Sequence, residues 1–128
     1  MLDHVGINVS DYARSRDFYV RALAPLGLEL LMEPVPEIGG FGRSSGEGAG
    51  KPFFWISTRA EASSDVHVAF AAASRELVEA FHVAALEAGG ADNGPPGVRE
   101  IYHPNYYGAF VHGPDGNNVE AVCHSPAG

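Results

Sequence analysis

Two histidines and one late glutamate carry the chemistry that this 128-residue sequence suggests. His4 opens the stretch "HVGINVSD", His67 opens "HVAFAAAS", and Glu120 interrupts an apolar run in "NNVEAVCH". A carboxylate between Val119 and Ala121 is costly to bury alone, unless it stays protonated. Either its strand face is wet or a positive partner waits there. Two neutral imidazoles and a carboxylate on one face are the donor set of a divalent metal, and leave about three positions of an octahedral ion for water or substrate. Fe, Mn, Ni, Co and Zn all accept such ligands.

An internal repeat is what puts the histidines on a common face. The segment "HVGINVSDYARSRDFYVRALAPLG" from His4 aligns without a gap on "HVAFAAASRELVEAFHVAALEAGG" from His67. Val5 falls on Val68, Ile7 on Phe70, Phe18 on Phe81 and Gly27 on Gly90. Such a repeat signals two copies of one supersecondary unit. Each copy opens with an alternating strand. Val5, Ile7 and Val9 oppose His4, Gly6 and Asn8; Val66, Val68 and Phe70 oppose His67, Ala69 and Ala71. Asp11 and Ser74 are N-cap residues, and a helix with an apolar stripe follows each. Gly27 and Gly89-Gly90 suit the chain reversals.

The remaining strands are expected near 28–33, 39–44 and 52–58, and near 91–100, 106–112 and 118–124. "GADNGPPGVREIYHPNYYG" also reads as a Pro/Gly-rich surface segment around a site. The predicted fold is α+β: two tandem βαβββ modules forming a cup-shaped mixed sheet with helices on the outer face. It makes one domain over 1–128, with module one about 1–62 and module two about 63–128.

The apolar strand faces seat the helices, so His4 and His67 turn to the open face. On the last strand the set Val119, Ala121 and Cys123 takes the helix side and sends Glu120 to join the histidines. "YHPNYYG" supplies the expected catalytic residues: His103 to shuttle a proton and Tyr106 to hydrogen-bond a bound oxygen. Alternation puts Tyr106 with Phe110 and His112, opposite Tyr107. Trp55, Phe41 and Phe53 are candidate pocket walls. Arg43 is a candidate anion contact, although a solvated edge charge is the simpler reading. His82, His112 and His124 read as ordinary polar residues, His82 exposed on its helix.

Composition removes several classes. Eight basic residues against sixteen acidic ones give a net charge of −8, which argues against nucleic-acid and anionic-membrane partners. No apolar run approaches the ~20 residues of a membrane helix. Cys123 is the only cysteine, so no internal disulfide forms, and a reducing, cytoplasmic setting is expected. The N-terminus begins as a strand rather than as a signal segment.

"LDHVGINVSD", "SRDFYVRALAPLGL", "HVAF" and "GPDGNNVEAV" together resemble the vicinal oxygen chelate superfamily, which includes glyoxalase I, bleomycin-resistance proteins and extradiol dioxygenases. The resemblance spans nearly the whole chain and marks the superfamily, not one reaction within it. It implies paired βαβββ modules around a divalent metal, with His4, His67 and Glu120 as ligands, and a homodimer whose site draws on one chain or on both. Glyoxalase I also uses a carboxylate on the last strand of module one. The repeat offset carries Glu120 back to Ser57, or to a neighbour such as Trp55, and "FFWIST" holds no acid. Two functions follow. One is a metal-dependent enzyme that chelates a small substrate with adjacent oxygens, by dioxygenase-like or glyoxalase-like (lyase or isomerase) chemistry. The alternative is a resistance-type protein that sequesters a small molecule without catalysis.

Overall fold

The computed structural model describes residues 1–127. Module one contains β1 (Val5–Asn8), α1 (Tyr12–Leu23), β2 (Leu28–Met32), β3 (Ile38–Arg43) and β4 (Pro52–Ser57). Module two contains β5 (His67–Ala71), α2 (Arg75–Glu87), β6 (Ala91–Val98), β7 (Tyr107–His112) and β8 (Asn118–Cys123). Both helices start as their caps dictate. The Asp11 carboxylate accepts from the Arg14 N–H, and the Ser74 hydroxyl accepts from the Leu77 N–H. After a 3-10 turn at Ala24–Leu26, Gly27 closes the run at φ +79°, where a Cβ would be strained.

Each module forms its own four-stranded mixed sheet, in the orders β1-β4-β3-β2 and β5-β8-β7-β6. The first strand of each runs parallel to the last, and the other pairs are antiparallel. The Pro/Gly-rich segment 91–98 is not a free loop. It is the outer strand β6, broken in register between Asp92 and Gly94 and again between Gly94 and Gly97. An edge strand tolerates Pro95 and Pro96 because one side of its ladder needs no partner.

One core serves both modules. From α1, Tyr19 packs edge-on against Phe18 and Phe54, with ring centroids 4.9 Å and 5.1 Å away. Phe54 meets Phe70 of module two at 5.2 Å. Val78, Phe81 and Ala85 of α2 are fully buried in the same cluster as Phe41, Ile56, Val111 and Val119. The helices pack on each other and on the sheets, so the core lies on the helix side of both sheets. Each large side chain removed from water there contributes about 1.5–3 kcal/mol. The opposite faces stay open: His67, Ala69 and Ala71 of β5 are exposed, and Gly6 of β1 is exposed. Among the described residues no strand of one sheet pairs with the other, and β1 and β5 each end a sheet. Near those two strands runs a cleft of about 690 Å³, lined by His4, Val5, Phe53, His67, Val68, Phe70, Leu77 and neighbours. Among the described residues no helix is long and apolar enough to cross a membrane.

Candidate functional site

Glu120 is the centre of the open face of module two. β8 buries both of its sides. Val119, Ala121 and Cys123 enter the core on the helix side, while Glu120 lies opposite Ala69 of β5 and Phe110 of β7. Its side chain is 1% exposed, yet neither oxygen is unpaired. The His67 imidazole, at Nε2, meets Oε1 at 2.8 Å, and the Tyr106 hydroxyl donates to Oε2. Gly108 makes room for this arrangement, because a Cβ there would stand 3.1 Å from Oε2. Two protein donors thus offset the cost of the buried carboxylate. Burial, and then the hydrogen bond to Glu120, push the Tyr106 hydroxyl above the ordinary tyrosine pKa. The phenol therefore stays protonated and remains a donor across the neutral range.

His67 and Glu120 fit a divalent ion. Neighbouring ligand atoms on an octahedral ion with bonds of ~2.1 Å stand about 3 Å apart. His67 Nε2 and Glu120 Oε1 already hold nearly that spacing. The third expected ligand is elsewhere. His4 sits just before β1, its side chain 60% exposed, and Nδ1–H donates to Asp3 Oδ1 at 2.7 Å. Asp3 in turn accepts from Lys51 Nζ at 2.8 Å. Lys51 first, and His4 next, hold the Asp3 carboxyl down to about 2. A carboxylate on one imidazole nitrogen is the usual orienting device for a histidine that offers its other nitrogen to a metal. His4 and His67 line the same cleft, but among the described residues no three His, Cys, Asp or Glu side chains are gathered to hold an ion. Of the two arrangements expected, one chain or two, a single chain thus gathers only the His67–Glu120 pair among the described residues. The duplication that aligns His4 with His67 in sequence also places both along this cleft, with His4 tied to Asp3 and His67 to Glu120.

Of the two expected catalytic residues, Tyr106 touches Glu120 directly and His103 does not. His103 packs against the Tyr106 ring at 5.6 Å, and its Nε2 lies 2.7 Å from His124 Nδ1. The Asn105 N–H donates to His103 Nδ1. That fixes Nδ1 as the acceptor, so Nε2–H donates to His124. His124, read from sequence as ordinary, is thus coupled to the site's edge. Tyr107 faces the helix side and donates to Glu79 at 2.6 Å. His112 bonds the Gly116 carbonyl. His82 is not exposed as expected: its side chain is 12% exposed and its Nε2 meets Asp92 at 2.9 Å. Phe41 is fully buried in the core and walls nothing, whereas Phe53 and Arg43 line the cleft.

Strand register decides between the two places that the offset allowed. Gly6 pairs with Trp55 as Ala69 pairs with Glu120. Trp55, not Ser57, therefore occupies the place in module one that Glu120 holds in module two. Trp55 lies over Gly40, where a Cβ would meet its ring at 2.8 Å. The acid that glyoxalase I uses at this position has become an indole.

The comparisons agree with this architecture. The family model of the Glyoxalase/Bleomycin resistance protein/Dioxygenase superfamily matches residues 1–121. A glyoxalase/bleomycin resistance protein from Albidiferax ferrireducens T118 is 29% identical, with a TM-score of 0.76 over 98% of this chain and 99% of that one. A glyoxalase/bleomycin resistance protein/dioxygenase family enzyme from Burkholderia phytofirmans PsJN shares the fold at 18% identity, with a TM-score of 0.71 over 96% and 98% of the two chains. A glyoxalase-related enzyme from Fulvimarina pelagi does so at 16% identity, with a TM-score of 0.69 over 96% and 87%. No curated protein matches the sequence. By its family match and its tandem βαβββ sheets, this chain belongs to the glyoxalase/bleomycin resistance protein/dioxygenase superfamily.

Proposed function

We propose that the protein is a metal-dependent enzyme that captures a small substrate through two neighbouring oxygens, and that it works as a homodimer. The observation that carries the reading is the buried Glu120 carboxylate beside His67, 2.8 Å away on an open face. His67 and Glu120 of one subunit would hold the ion together with His4 of a second copy. Three features support a shared site. The open faces point away from the common core, the cleft by β1 and β5 is largely apolar in its lining residues, and Asp3 leaves Nε2 as the unprotonated nitrogen of His4.

A bound divalent ion supplies Lewis-acid charge for substrate oxygens. The chain's own groups do the rest. Tyr106 holds Glu120 in place and stays protonated. Phe110, opposite Glu120 in the ladder, keeps one flank of the pair apolar. His103 and His124 form a hydrogen-bonded imidazole pair packed against the Tyr106 ring, at the edge of the site. Trp55 in place of an acid removes the carboxylate base of standard glyoxalase proton transfer. A reaction without that base, dioxygenase-like or lyase-like, therefore suits the site better.

Subunit mixing tests the reading. His4→Ala and His67→Ala are each expected to lose bound Mn²⁺. Unfolding and refolding the two variants together should restore one ion per mixed dimer, because one of its two sites is then complete. If the mixture binds no more ion than its components, the shared site is wrong. If neither variant loses ion, the ligand set is wrong; if wild type itself binds none, sequestration without a metal becomes the better description.

A further inference from the structure

On the proposal above that His67 and Glu120 centre the site, we propose that Arg99 reads an anionic group, a carboxylate or a phosphoryl group, on the substrate. Arg99 continues β6 past its last ladder residue, and its N–H donates to the Tyr106 carbonyl at 2.7 Å. It therefore stands opposite Tyr106, on the face that carries Glu120. Its side chain runs back along β6 across two glycines. A Cβ at Gly97 would lie 3.0 Å from Nη1, and one at Gly94 would lie 3.2 Å from Nη2. A side chain at either place would crowd the guanidinium and make it give by a few tenths of an ångström.

Two contacts then fix its head. Nη2–H donates to the Pro95 carbonyl at 2.7 Å, and Cζ lies 5.4 Å from the centre of the Phe110 ring. The same ring is 6.1 Å from the His67 imidazole. The face thus reads, in order, cation, aromatic ring, metal-ligand pair. Among the described residues no carboxylate pairs with Arg99, although acidic residues outnumber basic ones two to one in a chain of net charge −8.

A fixed, half-buried guanidinium with free N–H groups and no acid of its own matches carboxylate and phosphoryl oxygens, which it binds through two parallel hydrogen bonds. Its distance from Glu120, one ring away, calls for a substrate whose neighbouring oxygens and anionic group sit at opposite ends of a short body.

The test uses two arms. In the first, Mn²⁺-loaded protein is titrated with catechol and with 3,4-dihydroxybenzoate, which differ only in a carboxylate remote from the paired oxygens. Wild type should prefer the benzoate by about tenfold or more. Arg99→Gln should abolish the preference while catechol binding and Mn²⁺ content stay unchanged, and Arg99→Lys should keep part of it. Equal binding of the two probes by wild type, or an intact preference in Arg99→Gln, overturns the proposal. In the second arm, metal-free protein is titrated with phosphate and with acetate while the Arg99 Nε–H resonance is followed by NMR. Saturation by phosphate alone assigns the phosphoryl class, saturation by acetate alone the carboxylate class, and saturation by neither counts against an anion site. If Mn²⁺ fails to bind but the resonance still saturates, the metal reading falls and the anion site stands.

Discussion

The two modules descend from one pattern and present opposite chemistry on their open faces. At equivalent ladder positions module one carries Trp55 and module two carries Glu120. Across the next strand the partners are exchanged: Gly40 lies opposite Trp55, and Phe110 lies opposite Glu120. One sheet gives a flat indole on a glycine floor, and the other gives a buried acid held by Tyr106 and His67. The helix-facing sides diverge far less, with Ile7 and Phe70, or Phe18 and Phe81, filling matching core places. Core packing constrains both copies alike. The open faces are free to separate into a wall and the proposed metal centre.

Breaking the reactive centre should cost most. Glu120→Gln removes the charge that justifies the site, and the expected loss of Mn²⁺ affinity is on the order of a hundredfold or more, read by calorimetry. Trp55→Leu, at the equivalent place, should leave Mn²⁺ binding unchanged and weaken only aromatic probes. If the two substitutions have equal effect on the metal, the division between the faces is wrong. Tyr106→Phe comes next. It leaves one buried carboxylate oxygen without its donor, with an expected loss of about 1–3 kcal/mol in denaturant unfolding and a lesser fall in Mn²⁺ affinity.

On the wall side, Gly40→Ala sets a methyl 2.8 Å from the Trp55 ring and 2.9 Å from Pro52. The expected cost is about 1–3 kcal/mol of stability, with metal binding retained. His4→Ala sharpens the comparison from the other direction. Because His4 is exposed, unfolding should move by no more than about 0.5 kcal/mol, while Mn²⁺ binding is lost. The smallest effect concerns acid. The Gly94 N–H, and next His82, hold Asp92 below the usual aspartate value. A depressed carboxyl adds stability above its unfolded pKa and loses it as pH falls through the folded one. Melting curves below about pH 4 should therefore drop less steeply in Asp92→Asn than in wild type.

Most of the fold could be read from residue order, because alternation and caps are local. The side of β8 that takes Val119, Ala121 and Cys123 follows from periodicity, and so does the face that takes Glu120. The separation of Tyr106 from Tyr107 follows in the same way. Where the modules sit relative to each other does not follow. Period two names the face of a strand but not the direction in which a whole sheet looks, so whether one chain or two supply the ligands does not follow from it. The supports were equally hidden. Lys51 reaches Asp3, and through it His4, across a long sequence gap, and Arg99 lies back along β6 over two glycines. His124 gives no signal of its own until β8 delivers it beside His103. Trp55 was legible as a wall candidate and as one of two places equivalent to Glu120, but choosing it over Ser57 needed the strand register.

Mn²⁺ titration of wild type and Glu120→Gln, followed by the EPR signal of the free ion, addresses the metal centre most directly. The expected result is one ion bound per wild-type chain and no saturable binding in the variant, at matched folding. Equal uptake by both proteins, or none by the wild type, would contradict a metal centre built on Glu120.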